Sequence, residues 1–406
     1  MPTAIRAAAA ITPEGFLSPD PDVSSPGAFI PDLLDSPVLL LDGDRIARFG
    51  TAEEIELPPG THILDYPDAI LAPAFLDVHI HGSAGHDVMH AGLAGQHAIS
   101  AYLARRGVGS FLPTTVTAGI DVTLQALDHI ARWIERPHDA AHARPLGIHL
   151  EGPFISHAKR GVHPEAAIQP PDIRLFDRFF EAARGHVLLM TLAPEVSPGP
   201  GGESALDLLQ HAVSKGVRVS LGHSDATAAP ARAAIAAGAT SATHAFNAMR
   251  GFESREPGLL GVILDDDALY AELICDGHHT SPEAVRLFAR SKPAHRRILI
   301  TDAISATGQG EGSFPLGDLS VTVKNGVAML DGKLAGSVLT LNQAVANFTA
   351  ITGLPAQEAA NAASTNPASM LSLKLPALAA GQPANFVVLA PDGALLATFL
   401  DGELVL

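Results

Sequence analysis

The stretch FLDVHIHGSAGHD (residues 75–87) decides the fold. It is an apolar run that carries His79 and His81 two positions apart and breaks at a glycine turn. Strand side chains alternate between faces, so His79 and His81 point the same way. Whether the pair holds a metal or simply fills a strand depends on what the rest of the chain places beside it.

Seven more segments of the same kind follow. They are GVGSFLPTT (107–115), RPLGIHLEGP (144–153), HVLLMTLAPE (186–195), GVRVSLGHSD (216–225), ATSATHAFN (239–247), ALYAELICDGHH (268–279) and RRILITDAIS (296–305). Most end in a polar or glycine cluster. Between them run alanine-rich stretches of helical period, such as AGQHAISAYLARRG (94–107) and ESALDLLQHAVSKG (203–216). Strand and helix alternating eight times predict an α/β protein, a (β/α)8 TIM-like barrel. A doubly wound open sheet is the main rival, but no GxGxxG follows the first strand, which leaves a dinucleotide site unsupported.

The chain ends read differently. SPVLLLDGDRIARFG (36–50), PANFVVLAPDGALLATF (383–399) and ATFLDGELVL (397–406) are apolar runs broken by Asp-Gly, a hairpin signal. They predict a small, discontinuous β-sandwich domain from residues 1–72 and 374–406, wrapped around a barrel of residues 73–373. Residues 306–334 are glycine-rich and hairpin-like, an excursion after the eighth strand, and helical period resumes near 342–353 and 355–364.

The chain has 406 residues and a net charge of −17, which argues against nucleic acid or anionic membrane as the main partner. One cysteine, Cys275, excludes an intrachain disulfide framework and suits a reducing cytosol. Pro13 and Glu14 cut short the alanine run at the start before a signal sequence develops, and no apolar stretch approaches the roughly 20 residues of a membrane helix. The expectation is a cytoplasmic protein.

Chemistry in such a barrel collects at the C-terminal ends of the strands. Those ends carry His79 and His81, His149 and Glu151, His223, His244, Asp276 with His278 and His279, and Asp302. One histidine among 19 means little, but histidines and carboxylates converging from separate strands predict a metal site. Imidazole and carboxylate without thiolate suit Zn2+, with Fe2+ or another first-row divalent ion as alternatives. One ion with an open position and two ions sharing a carboxylate are both compatible with this set.

The motifs FLDVHIHG, HLEGPFI, LAPE, GHSDAT, THAFNAM, DGHH and LITDA occur in one order, and in that order the chain resembles the N-acetylglucosamine-6-phosphate deacetylases of the amidohydrolase superfamily. The likeness runs from about Pro73 to Pro367 and takes in the split β domain. It implies metal-dependent hydrolysis of an acetamide on a small phosphorylated amino sugar, in a homodimer. By resemblance, Glu151, His223 and His244 are the principal metal ligands and Asp302 the catalytic aspartate, itself able to touch metal. His163, in KRGVHP, meets the acetyl carbonyl, with Val162 beside it. Asn247 and Ala248 contact the sugar. Arg255 and His279 contact phosphate, one or both from a neighbouring subunit, and Asp276 is grouped with them. Leu334, Ala335 and Gly336 fall on a further substrate loop. Relatives that keep the histidine pair of the first strand bind two metals and others one, so His79 and His81 favour two. Glu151 at the bridging place argues against hydantoinase-like relatives, which use a carboxylated lysine. Two alternatives stand beside this reading: the same chemistry on N-acetylgalactosamine 6-phosphate, and a metal-free scaffold on the same barrel.

Overall fold

The computed structural model describes residues 2–12, 33–374 and 377–406. Eight parallel strands follow in chain order: β1 (Phe75–Ile80), β2 (Val108–Thr115), β3 (Ile148–Glu151), β4 (Val187–Leu192), β5 (Arg218–Leu221), β6 (Ser241–Ala242), β7 (Tyr270–Ile274) and β8 (Arg297–Ile300). Each pairs in parallel with the next. The seam between β8 and β1 closes just past the strand ends, where Asp302 N–H donates to the His79 carbonyl (2.9 Å) and His81 N–H to the Ala303 carbonyl (2.8 Å).

A helix follows each strand: α1 (Leu93–Ala104), α2 (Ile120–Ile134), α3 (Ile173–Ala182), α4 (Ala205–Ser214), α5 (Ala228–Ala236), α6 (Gly258–Asp265), α7 (Pro282–Ser291) and α8 (Leu341–Thr352). Every residue of β1, β3 and β8 is buried, because the helices cover one face and the barrel interior fills the other. Most of the helices bury one stripe, while α6 buries six consecutive residues, 258–263. In α3 that stripe is Leu175, Phe176 and Phe179, and Asp172 caps the first turn by accepting the Leu175 N–H. Full burial of one such phenylalanine contributes about 1.5–3 kcal/mol. Ser204 and Asp207 cap α4 reciprocally.

The chain ends build one sheet of eight strands. Its order is Glu403–Leu404, Leu395–Leu400, Phe386–Leu389, His62–Pro73, Thr3–Ile11, Pro37–Asp42 and Arg45–Thr51, with Leu33–Asp35 also paired to Thr3–Ile11. The sandwich thus takes the form of a single sheet curled on itself. Its edge strand returns to the segment before Phe386 through an Arg45–Pro383 bridge and a 2.9 Å bond from Ile46 N–H to the Gln382 carbonyl. Ile5, Leu39, Leu71, Val388 and the stacked rings of Phe386 and Phe399 (4.6 Å) fill its own core. Thr3–Ile11 reads TAIRAAAAI, weak strand material, yet it lies between a parallel and an antiparallel partner that supply what propensity lacks.

Two features position the site. The strand His62–Pro73 runs into β1 with only Ala74 between them. After β8, an antiparallel meander (Gly312–Leu316, Leu319–Lys324, Val327–Leu330, Lys333–Leu334) carries the chain back to the barrel at Ala335 and Gly336. Among the described residues, no helix is long and apolar enough to cross a membrane.

Candidate metal centre

His79 lies within β1, His81 one residue beyond it, and Glu151 is the last residue of β3. His223, His244 and Asp302 stand two residues past the ends of β5, β6 and β8. All three have left-handed backbones, with φ of 49°, 30° and 50°. Each turn is held by its surroundings. The His223 ring donates from Nδ1 to the Lys159 carbonyl (2.9 Å). Glu195 accepts the Ser224 hydroxyl (2.7 Å) and the Asp225 amide (2.5 Å) just after it. The Asp302 carbonyl accepts the Ser337 N–H (2.7 Å). Gly336, at φ 60°, packs so closely that an added Cβ would lie 2.9 Å from that carbonyl.

These elements converge on Glu151. Its Oε1 faces Nε2 of His79 (3.3 Å), His223 (3.1 Å) and His244 (3.2 Å). Its Oε2 faces Nε2 of His81 (3.2 Å) and His163 (3.6 Å). Asp302 Oδ1 lies 3.2 Å from His81 Nε2 and 3.6 Å from His79 Nε2. Two triads with mutually close donor atoms result: His79, His81 and Asp302, and Glu151, His163 and His223. His244 joins the second through its 3.1 Å approach to His223.

Burial opposes charge throughout, and the neighbours overturn it. Glu151 is held well below the usual carboxylate range because His79 and the other imidazoles outweigh its desolvation. Desolvation likewise works against ionised Asp302, but His79 and His81 bring it down to about 2. Burial would lower His81, yet Asp302 and Glu151 lift it to about 9. His163 goes the other way: burial, reinforced by His223, pushes it down to about 4. Its Nδ1 accepts the Thr117 N–H (3.2 Å), so the neutral ring carries its proton on Nε2, facing Glu151.

The residues fit a divalent ion. His79 Nε2 is buried without a hydrogen-bond partner and aims at two carboxylates. Donor atoms 3.1–3.6 Å apart match the roughly 3.4 Å spacing of ligands about 2.0–2.1 Å from one tetrahedral ion. The set is nitrogen and oxygen only, since burial pushes the nearby Cys275 thiol up to about 12 and keeps it neutral.

The other expected site residues spread around this centre. Val162 is half-buried beside His163, and Asn247 and Ala248 form the turn after His244, Ala248 with φ 46°. Leu334, Ala335 and Gly336 adjoin Asp302 through the Gly336 contact. Asp276 Oδ2 accepts from His279 Nδ1 (2.7 Å); burial opposes charge on His279, but Asp276 raises it above its ordinary value. Arg255 is exposed in the loop before α6. His278 is exposed as well, and its N–H donates to Asp276 Oδ1 (2.8 Å). His149 is not turned toward the carboxylates. Its Nε2 bonds Thr191 Oγ1 (2.8 Å), its ring packs edge-on against His79 (4.6 Å), and burial with His79 holds its pKa well below the ordinary value.

Sequence reasoning missed Glu272, Thr117 and the use of Glu195. Glu272 Oε2 accepts from His79 Nδ1 (3.2 Å) and His244 N–H (3.3 Å). The signal was available: Glu272 is a lone carboxylate inside the otherwise apolar run YAELI.

Residues 70–405 match the family model described as "Amidohydrolase family". A Bacillus subtilis relative named N-acetylglucosamine-6-phosphate deacetylase is 36% identical over 83% of this chain and 85% of its own. An Escherichia coli O157:H7 relative named N-acetylgalactosamine-6-phosphate deacetylase is 38% identical over 79% of this chain and 83% of its own. The solved N-acetyl-D-glucosamine-6-phosphate deacetylase of Mycobacterium smegmatis superposes with a TM-score of 0.86 at 32% identity, covering 100% of this chain and 99% of that one.

Proposed function

Because the chain belongs to the amidohydrolase family, we propose that it hydrolyses the acetamide of N-acetyl-D-glucosamine 6-phosphate to D-glucosamine 6-phosphate and acetate, a step of amino-sugar catabolism or recycling. One observation supports this above the rest. A neutral His163 and an ionised Asp302 flank the same buried cluster of imidazoles around Glu151, in a chain whose relatives carry that activity in their names.

An ion held by Glu151, His223 and His244, with a second at His79, His81 and Asp302, would polarise the acetyl carbonyl and make a water acidic enough to attack it. Zn2+ suits the donors best, with Fe2+ as an alternative, and the histidine pair favours two ions. Asp302 stays ionised at neutral pH, so it can take the proton of the attacking water and return it to the departing amine. The amine leaves only once protonated. His163 donates its Nε2–H to the carbonyl oxygen as negative charge gathers there. Val162, Asn247, Ala248 and the Leu334–Gly336 loop border the sugar. His279, held by Asp276, and Arg255 supply cationic partners for phosphate on a chain of net charge −17. The reading places the enzyme in the cytoplasm as a homodimer, with exposed Arg255 reaching a neighbouring subunit's site.

The Escherichia coli relative's name makes N-acetylgalactosamine 6-phosphate the second candidate. Acetate release should be measured on both sugars, with elemental analysis of the same preparation. Faster turnover of the gluco sugar supports the reading, and faster turnover of the galacto sugar replaces it with the second. A protein that holds no divalent ion and turns over neither sugar is a scaffold. Arg255→Lys tests the phosphate contact, since lysine cannot bind bidentately. KM should rise for the phosphorylated sugar more than for its unphosphorylated analogue.

A further inference from the structure

We propose that Glu272 is a positioning residue that holds the His79 proton on Nδ1, so that Nε2 is free to bind metal, and that ties this ring to the backbone of His244. The inference rests on reading the cluster as a metal centre.

His79 Nε2 lies 3.3 Å from Glu151 Oε1 and 3.6 Å from Asp302 Oδ1. Left alone, a neutral imidazole there would place its proton on Nε2 and donate to those carboxylates, which would block the lone pair an ion needs. Glu272 acts against this from the opposite side of the ring. Its Oε2 lies 3.2 Å from Nδ1 and draws the proton there. A carboxylate behind a metal-binding histidine also makes the ring more basic. The same Oε2 accepts the amide of His244, a residue held at φ 30°. One oxygen on β7 therefore orients a ligand from β1 and another from the turn after β6.

Packing alone does not account for Glu272. It is completely buried, its strand neighbours Ala271, Leu273 and Ile274 are apolar, and its Oε1 has no hydrogen-bond partner. A buried carboxylate with one unsatisfied oxygen is costly, and an apolar side chain of similar size would fill the space at less cost. The two bonds made by Oε2 are what the charge contributes.

The test is Zn2+ binding by the full chain, measured by chelator competition and elemental analysis on wild type, Glu272→Gln and Glu272→Leu, with 15N NMR of the histidine rings in the Zn2+-loaded proteins. Wild type should show His79 protonated on Nδ1. Glu272→Leu should shift the His79 Nδ1–H resonance, because its acceptor is gone, and lower Zn2+ affinity by about 10–100-fold. Glu272→Gln should fall between the two, because its amide oxygen can still accept from Nδ1 while the charge is gone. Affinities within threefold of wild type for both variants overturn the proposal. So does a Leu variant that fails to fold beside a Gln variant indistinguishable from wild type. Wild type that binds no Zn2+ or other first-row ion sinks the metal reading itself, a separate outcome.

Discussion

The candidate ligands of β1 and β3 and those beyond β5, β6 and β8 reach one centre by different backbone routes. His79, His81 and Glu151 use ordinary strand geometry, where a spacing of two suffices to align side chains. His223, His244 and Asp302 come two residues later, where the chain has turned left-handed. Such a backbone costs about 1–3 kcal/mol at a non-glycine residue and persists only where its surroundings fix it. The sheet places the first group, and the second is placed by what clamps the turns: Glu195, Glu272, Ser337 and Gly336.

The largest effect is expected at Asp302. Asp302→Asn keeps size and backbone preference and removes the proton acceptor, so kcat should drop about 10²–10⁴-fold while the ion at Glu151, His223 and His244 is retained. Half the activity remaining would remove Asp302 from that role. Gly336→Ala acts on the clamp instead. The new methyl meets the Asp302 carbonyl and the Ile304 side chain at a φ of 60°, and a displaced Asp302 should lower kcat by up to about 10²-fold. A normal rate would show that the turn tolerates movement. Replacing His79 and His81 together by asparagine should remove one ion of two, counted by elemental analysis, while Glu151, His223 and His244 keep theirs. An unchanged count returns the pair to ordinary strand residues.

The smallest effect expected is on stability against pH. His81 has a folded pKa of about 9, above its ordinary 6.5. The stability it adds to metal-free protein is complete below about pH 6.5 and is lost as pH rises through 9. The melting temperature of metal-free protein should therefore fall between pH 7 and 9.5. Metal-loaded protein should hold steadier, because the ion displaces that proton. Parallel curves with and without metal would refute the link.

Most of the architecture was legible because strand and helix alternate with clean periods. Helical period also pointed to α8 and to the following helix Ala356–Ala363. The Thr3–Ile11 strand was not, since four consecutive alanines carry no strand preference and only its partners hold them extended. In the centre, His79, His81, Glu151, His223, His244 and Asp302 stood out as titratable groups at strand ends, and the structure brings them together. The role of His149 was not readable: it shares the period of Glu151, but Thr191 on β4 takes its Nε2. Glu272 and Thr117 escaped notice because they act through another residue's ring nitrogen, a relation with no fixed spacing along the chain.

The seam between β8 and β1 has a kinetic consequence. Its bond from Asp302 to His79 joins residues more than two hundred positions apart, so the candidate ligands of β1 and β8 come together only once these distant segments meet. Loop closure on that scale comes late in folding. Interactions absent from the transition state slow unfolding without speeding folding. A bound ion should therefore act as a clasp on the finished barrel: it lengthens the life of the native state and leaves the rate of reaching it nearly unchanged.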